Sequence, residues 1–205
     1  MLKTRSLHFA YNEENEFSFP DIQLDSGGNL LVLGESGIGK NTLLNLLAGQ
    51  LRPKSGSIEL KGTILNELPL SKLDSIRGKN KGLVFQSQHF IQALSLQENL
   101  MLVQYLAGQK QDKQHVKKVL SSLGIEHKIN SKPNNLSQGE QQRAAIASAV
   151  INNPQLILAD EPTASLDDKN CKKVAALLQE QASETGAQLV IITHDQRLKD
   201  QFQNT

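Results

Sequence analysis

Residues 34–42 read GESGIGKNT, and this stretch decides the fold. It directly follows the apolar run LLVL (30–33) and directly precedes the apolar pattern LLNLL (43–47), so the sequence predicts a strand, a glycine-rich loop and a helix. Glycines allow turns in which consecutive backbone N–H groups converge on phosphate oxygens. The helix N-terminus and Lys40 add positive charge at the same point. The stretch is therefore predicted to be a phosphate-binding P-loop.

One position of this loop is unusual. The residue after the lysine is normally Ser or Thr, whose hydroxyl ligates Mg²⁺, and here it is Asn41. The amide of Asn offers an oxygen but is longer and bulkier, and Thr42 lies about 100° further around the helix. We expect phosphate binding with a weak Mg²⁺ dependence; the alternative is that Asn41 serves as a tolerated ligand.

Composition excludes several classes of protein. Lys and Arg number 22 against 21 Asp and Glu, and aromatic residues make up 4% of the chain, so no nucleic-acid partner is expected. The single Cys171 cannot form an internal disulfide, which favours a reducing compartment, and it is expected to be a bystander on a helix. No signal peptide opens the chain and no apolar run reaches the ~20 residues of a membrane span. We therefore expect a cytoplasmic protein.

The pattern of elements predicts an α/β protein with a P-loop NTPase core. Runs at 6–11, 17–24 and 57–60 predict strands of a small antiparallel layer. Short apolar strands at 82–85, 156–159 and 188–193, with a helix over 169–184, predict a parallel sheet that is covered on both faces.

Helical spacing over 95–106, 114–123 and 137–152 predicts a helical insert. The capping boxes Ser95–Glu98 and Ser137–Glu140 mark two of its helix starts. The expected organisation is a single domain, with residues 1–86 and 154–205 as the nucleotide-binding core and residues 87–153 as a helical subdomain.

Polar side chains follow three of the predicted strands directly. Asp160 and Glu161 follow one apolar strand, His194 follows another and Gln86 follows the third. The carboxyl ends of parallel strands form the edge where ligands bind, so these groups can meet at one site. A carboxylate there can hold Mg²⁺ and its neighbour can polarise a water. Alone, the acidic pair could be a strand-end turn and the histidine a structural residue.

The order of motifs resembles the ATP-binding subunit of an ABC transporter. The motifs are the P-loop, Gln86, LSQGEQQR (136–143), LILADEPT (156–163), ASLD (164–167) and ITHD (192–195), and they span nearly the whole chain. The run SQGEQQR, with Glu140 after the glycine, resembles the group of lipoprotein-releasing, macrolide-exporting and cell-division ABC ATPases.

This resemblance implies roles for individual residues. Glu161 would be the catalytic base, with Gln86 and His194 sensing the γ-phosphate, and Asp160, Gln86 and Asn41 would surround Mg²⁺. Ser137, Gln138 and Gly139 would contact the ATP held by a second subunit, and Asp167 would signal across that interface. The remaining residues implied in ATP binding are Tyr11, which would stack on adenine, and the loop residues Gly34, Glu35, Ser36, Gly37, Ile38, Gly39, Lys40, Asn41 and Thr42.

The expected assembly is a head-to-tail dimer, with a second copy or a paralogue, which drives a separate membrane permease from the inner face of the membrane. The rivals are a nucleotide-binding regulator with little turnover, motivated by Asn41, and a non-transport ABC ATPase, which usually fuses two such domains or carries a coiled coil. Two other features depart from the family: Gln138 replaces a glycine, and the chain ends eleven residues after His194, so we expect a minimal version or compensation by a partner. The apolar residues within 88–94 are either helix-packing core or a groove for the permease.

Overall fold

The structure is a computed structural model that describes residues 1–35, 37–86, 89–164, 166–202 and 204. The strands, in chain order, are β1 (Leu2–Ala10), β2 (Glu16–Ser18), β3 (Gln23–Leu24), β4 (Asn29–Leu33), β5 (Ser55–Leu60), β6 (Thr63–Ile64), β7 (Lys81–Val84), β8 (Leu156–Asp160) and β9 (Gln188–Thr193). The α-helices are α1 (Lys40–Ala48), α2 (Leu70–Asn80), α3 (Leu96–Leu106), α4 (Lys113–Ser122), α5 (Gln138–Val150) and α6 (Asp168–Thr185).

The predicted antiparallel layer is present. Its strands lie in the order β2-β1-β5-β6, and β3 also pairs with β1. The run predicted as one strand over 17–24 is two short strands: the Phe19 N–H still donates to the Leu7 carbonyl (2.9 Å), the chain leaves the ladder at Pro20, and pairing resumes at Gln23. Proline has no N–H to donate to a ladder, which accounts for the interruption.

The second sheet is parallel, with the order β4-β9-β8-β7. Alternate residues of its strands point to opposite faces, as the period of a strand requires. Leu156 and Leu158 pack with α1 and the antiparallel layer, whereas Ile157 and Ala159 pack with helices α3, α5 and α6. Both faces of the sheet are therefore covered, which explains why its strands are almost entirely apolar.

The three helices predicted between β7 and β8 are α3, α4 and α5. Both predicted capping boxes form, since the hydroxyls of Ser95 and Ser137 accept from the backbone N–H three residues on and Glu98 and Glu140 reach back. Helix α4 ends before Gly124, which adopts φ 68°. The sequence did not predict α2. The division of the chain into a core and a subdomain over 87–153 stays a prediction.

Within the described part of the chain, no helix combines the length and the apolar character that crossing a membrane requires.

Candidate active site

A cleft of about 530 Å³ opens at the carboxyl edge of the parallel sheet. The β8–β9 register places Asp160 beside Ile192, so the chain leaves both strands at the same level. The residues that line the cleft are Phe17, Gly37, Gly39, Lys40, Asn41, Thr42, Gln86, Asp160, Glu161 and His194. The strand-end groups that the sequence predicted to meet therefore do meet.

The glycine-rich loop joins β4 to α1 as predicted. Gly39 precedes the helix with φ 96°, and a Cβ at this position would lie 2.5 Å from the Phe17 ring, so only glycine fits. The Lys40 Nζ donates to the carbonyl oxygens of Gly34 (2.6 Å) and Glu35 (2.7 Å). The ammonium group is thus held over the loop by bonds that phosphate oxygens can replace.

The first turn of α1 faces the cleft with two polar side chains. Asn41 is exposed, whereas Thr42 is buried and its Oγ1 lies 3.4 Å from the Tyr11 hydroxyl. The Tyr11 ring is 57% exposed and stands nearly perpendicular to Phe9, with the ring centroids 4.8 Å apart. Tyr11 therefore lies at the same end of α1 as the loop, with much of its ring open to solvent.

Asp160 is half-buried at the end of β8. Its pKa is raised by burial and by the neighbouring Glu161, while Lys40 opposes this shift. Its Oδ1 is buried and has no hydrogen-bond partner among the described residues. A buried carboxylate oxygen without a partner is costly, and a cation satisfies it.

Glu161 and His194 form a pair across the ends of β8 and β9. Their closest atoms, Glu161 Oε1 and His194 Nδ1, lie 2.8 Å apart. The Thr193 hydroxyl donates to Glu161 Oε2 (2.7 Å) and the His194 N–H donates to Oε1 (3.1 Å). Glu161 has φ 46°, a left-handed conformation that residues other than glycine rarely adopt. The Glu161 carboxylate is therefore held by several hydrogen bonds, and the backbone that carries it is strained.

The donor set at this edge fits Mg²⁺. Asp160, Asn41 and Gln86 all line the cleft and all carry side-chain oxygens, which are the ligands this ion prefers. Within the described residues, no three His, Cys, Asp or Glu side chains are grouped to hold a metal. Mg²⁺ usually binds through one or two protein groups together with substrate phosphates.

The start of α5 lies outside the cleft lining. The Ser137 hydroxyl donates to Glu140 Oε2 (2.9 Å), and the Ser137 N–H donates to the same oxygen (2.8 Å). These bonds lower the pKa of Glu140 to about 2, with help from Lys128, whose Nζ is 3.5 Å away. Ser137, Gln138 and Gly139 thus stand at a well-capped helix N-terminus, apart from the loop.

Other predicted site residues are also outside the lining. Asp167 is the N-cap of α6 and accepts from the Asn170 N–H (2.9 Å). Ile38 is 56% exposed and, with Gly34, lies on the β4 side of the loop. Ser36 lies outside the described residues.

Sequence reasoning missed Phe17, which lines the cleft beside Gly39. Its ring centroid lies 6.3 Å from that of Tyr11. The alternating aromatic residues of the stretch EFSF (16–19) were the available signal, because strand alternation sends Phe17 and Phe19 to the same face.

A glycine loop between a parallel strand and a helix, with carboxylates at the end of another strand of the same sheet, defines a P-loop NTPase. The family model for ABC transporters matches residues 19–164. The chain belongs to the ABC transporter family, and it is the ATP-binding, ATP-hydrolysing subunit of an ABC transporter.

Relatives and solved structures agree with this assignment. The lipoprotein-releasing system ATP-binding protein LolD of Idiomarina loihiensis is 38% identical over 185 residues, which cover 89% of this chain and 81% of that protein. The LolD protein of Bacteroides thetaiotaomicron is 32% identical over 97% of this chain and 92% of its own length.

Among solved structures, the dimeric bacterial ABC transporter cassette MJ0796 superposes with a TM-score of 0.82 at 32% identity, covering 95% of this chain and 88% of that one. A post-hydrolysis dimer of the same cassette, bound to ADP and Pi, matches equally well.

Proposed function

We propose that the chain hydrolyses ATP with Glu161 as the catalytic base and His194 and Gln86 as sensors of the γ-phosphate. The observation that carries this proposal is the Glu161 carboxylate, held by Thr193 and His194 at the mouth of the phosphate-loop cleft. A general base must lie within hydrogen-bond reach of the water it activates, and this carboxylate faces the cleft where that water would lie.

The loop binds the triphosphate in this proposal. Lys40 exchanges its bonds to the Gly34 and Glu35 carbonyls for β- and γ-phosphate oxygens. Backbone N–H groups of residues 37–42 converge on the same oxygens, and Thr42 adds a hydroxyl. Tyr11, next to Thr42, stacks on adenine.

The base becomes available when ATP binds. His194 is exposed, so its imidazole can turn from Glu161 towards a γ-phosphate oxygen. Glu161 Oε1 then loses a hydrogen-bond partner and can take the proton of the attacking water. Asp160, Asn41 and Gln86 would hold Mg²⁺, which when bound neutralises charge on the phosphates in the transition state.

Two copies assemble head to tail around two nucleotides. In this arrangement Ser137, Gln138 and Gly139 of one subunit meet the ATP of the other, and Asp167 lies at the contact. The dimeric MJ0796 cassettes support this assembly. The position of α5 apart from the cleft of its own subunit is consistent with this assembly.

The dimer drives a separate permease and is held by it at the inner face of the membrane. Because the LolD relatives are ATP-binding proteins of lipoprotein-releasing systems, we propose a permease of that kind. Purification from detergent-solubilised membranes, with sequencing of the co-purifying membrane protein, tests this. A permease of macrolide export or cell division would overturn it.

The test of the catalytic proposal is Glu161→Gln. This variant keeps the shape of the side chain but removes the base, so phosphate release should fall by at least about 100-fold. ATP should still bind, and size-exclusion chromatography with ATP should show more dimer than for the parent. Glu180→Gln, at an exposed position of α6, is the matched control and should behave as the parent. Turnover of Glu161→Gln within a few-fold of the parent would overturn the role.

A further inference from the structure

Arg197 lies three residues after His194 and joins two segments that are far apart in the chain. Its Nε and Nη2 donate to the two oxygens of Asp195 (2.8 Å each). Its Nη1 donates to the Leu166 carbonyl (3.1 Å) and to Asp168 Oδ1 (2.6 Å). One guanidinium therefore holds the segment that carries Asp167 against the segment that carries His194.

A chain of hydrogen bonds continues from Asp195 to the catalytic carboxylate. The Asp195 N–H donates to Thr193 Oγ1 (3.0 Å), and the Thr193 hydroxyl donates to Glu161 Oε2 (2.7 Å). The Thr163 hydroxyl (3.0 Å) and the Cys171 thiol (3.4 Å) donate to Asp195 Oδ2. Cys171, expected to be a bystander, is thus a buried member of this network.

The hydrogen-bonded chain from Arg197 to Glu161 is rigid because most of its side chains are buried. Thr163, Thr193 and Cys171 are fully buried, and the Asp195 side chain is only 11% exposed. The hydrogen bonds from Arg197 hold the pKa of Asp195 well below its usual range, so the carboxylate stays ionised. A bidentate, charge-assisted pair fixes orientation as well as distance.

We propose that Arg197 is a positioning residue. It couples the position of residues 166–168, the Asp167 segment, to the orientation of the Glu161 carboxylate. When the Asp167 segment moves, as it would on meeting a second subunit, Arg197 carries the movement through Asp195 and Thr193 to the carboxylate. This inference rests on the proposed roles of Glu161 and Asp167.

The chemistry of arginine sets the test. Lysine offers a point charge without the planar fork, so it cannot make the bidentate bond and reach Leu166 at the same time. We expect Arg197→Gln to lower kcat by about tenfold while the KM for ATP changes less than twofold. Arg197→Lys should also lower kcat severalfold, with a melting temperature near that of the parent.

The control is Arg52→Gln. Arg52 also donates to a backbone carbonyl, that of Leu68, and among the described residues no hydrogen bond connects it to the cleft. Its loss should leave kcat unchanged. If Arg197→Gln does not fold, Arg197→Lys alone decides, and parental turnover in that variant would overturn the proposal.

A double-mutant cycle separates positioning from simple stabilisation. Asp167→Ala should lower kcat in the parent but add little in the Arg197→Lys background, because the connection is already broken. Independent, additive losses would show that Arg197 merely stabilises the fold. This test is separate from the test of Glu161 as the base. If Glu161→Gln abolishes turnover but the double-mutant cycle is additive, the coupling through Arg197 is refuted and the role of Glu161 stands.

Discussion

His194 contacts the carboxylate of Glu161 twice, through its imidazole Nδ1 at 2.8 Å and through its backbone N–H at 3.1 Å. The Glu161 N–H in turn donates to the Ile192 carbonyl (2.8 Å). The two side chains differ in exposure, at 68% for His194 and 15% for Glu161. The imidazole can therefore turn towards a nucleotide while the carboxylate stays in place.

His194→Ala should lower ATP turnover by about 100-fold, since a positioned proton-transfer or hydrogen-bonding group contributes about that much. ATP affinity should change by only a few-fold, because the loop amides and Lys40 remain. Phosphate release and fluorescent-nucleotide binding measure the two effects. His8→Ala, which removes a half-buried histidine of β1, is the control. A turnover within threefold of the parent would contradict the sensor role.

Asn41→Ser should raise turnover by on the order of tenfold, about 1.4 kcal/mol in the barrier. The compact hydroxyl suits the near-octahedral geometry of Mg²⁺ better than an amide does. Calorimetric titration should also show a stronger Mg²⁺ dependence of ATP binding in the variant. Asn45→Ser, one turn further along α1, should change neither quantity. Equal rates across a Mg²⁺ titration would establish Asn41 as a competent ligand instead.

Ile91→Glu should prevent association with membranes and leave basal turnover intact. The Asn99 side chain fixes the Ile91 backbone by bonding its N–H (2.9 Å) and its carbonyl (3.1 Å), whereas the Ile91 side chain is 47% exposed. A charge at this position would disturb a permease contact without disturbing the core. Ile64→Glu, at another exposed isoleucine, is the control for flotation with permease-containing membranes. Unchanged association would show that the permease docks at another surface. Of the predicted segment, Gln88 lies outside the described residues, as does the preceding Ser87.

Lys81 should make the free energy of unfolding depend on pH. Its Nζ is buried and donates to the Leu47 carbonyl at the end of α1 (2.7 Å). Burial, and then Arg77, lower its pKa to about 7. Between pH 7 and about 10 the unfolded chain therefore binds more protons at this site than the folded one, and stability rises with pH by up to about 1.4 kcal/mol per unit.

Lys81→Met should flatten this rise, measured by urea unfolding at pH 7 and pH 9. Lys72→Met, at an exposed position of α2, should keep it. Equal slopes for the parent and Lys81→Met would mean that the amine is charged in the fold at both pH values.

Local signals account for the features that the sequence predicted correctly. The P-loop, both capping boxes and the apolar parallel strands each depend on a few neighbouring residues, so their patterns are complete within a short window. The meeting of Gln86, Asp160 and His194 followed from one further rule, that parallel strands end at a common edge.

Features that depend on contacts between distant residues were not predictable. Helix α2 buries Leu73 but few other side chains, so it shows almost no apolar periodicity. Helix α2 comes close to Ala107 at Gly78, which has no side chain. A Cβ at Gly78 would lie only 3.1 Å from the Ala107 backbone, and this proximity is visible only in the folded chain. Arg197 was missed for the same reason, since Leu166 lies thirty-one residues away from it.

The left-handed backbone at Glu161 lowers folding stability, whereas the side chain at this position is the proposed catalytic base. A non-glycine residue in this conformation costs on the order of 1 kcal/mol, which glycine would not incur. A lineage evolving for stability alone would therefore drift towards glycine at position 161 and lose the carboxylate that lines the cleft. Among descendants of this chain, the more heat-resistant ones are expected to include those that no longer turn over ATP.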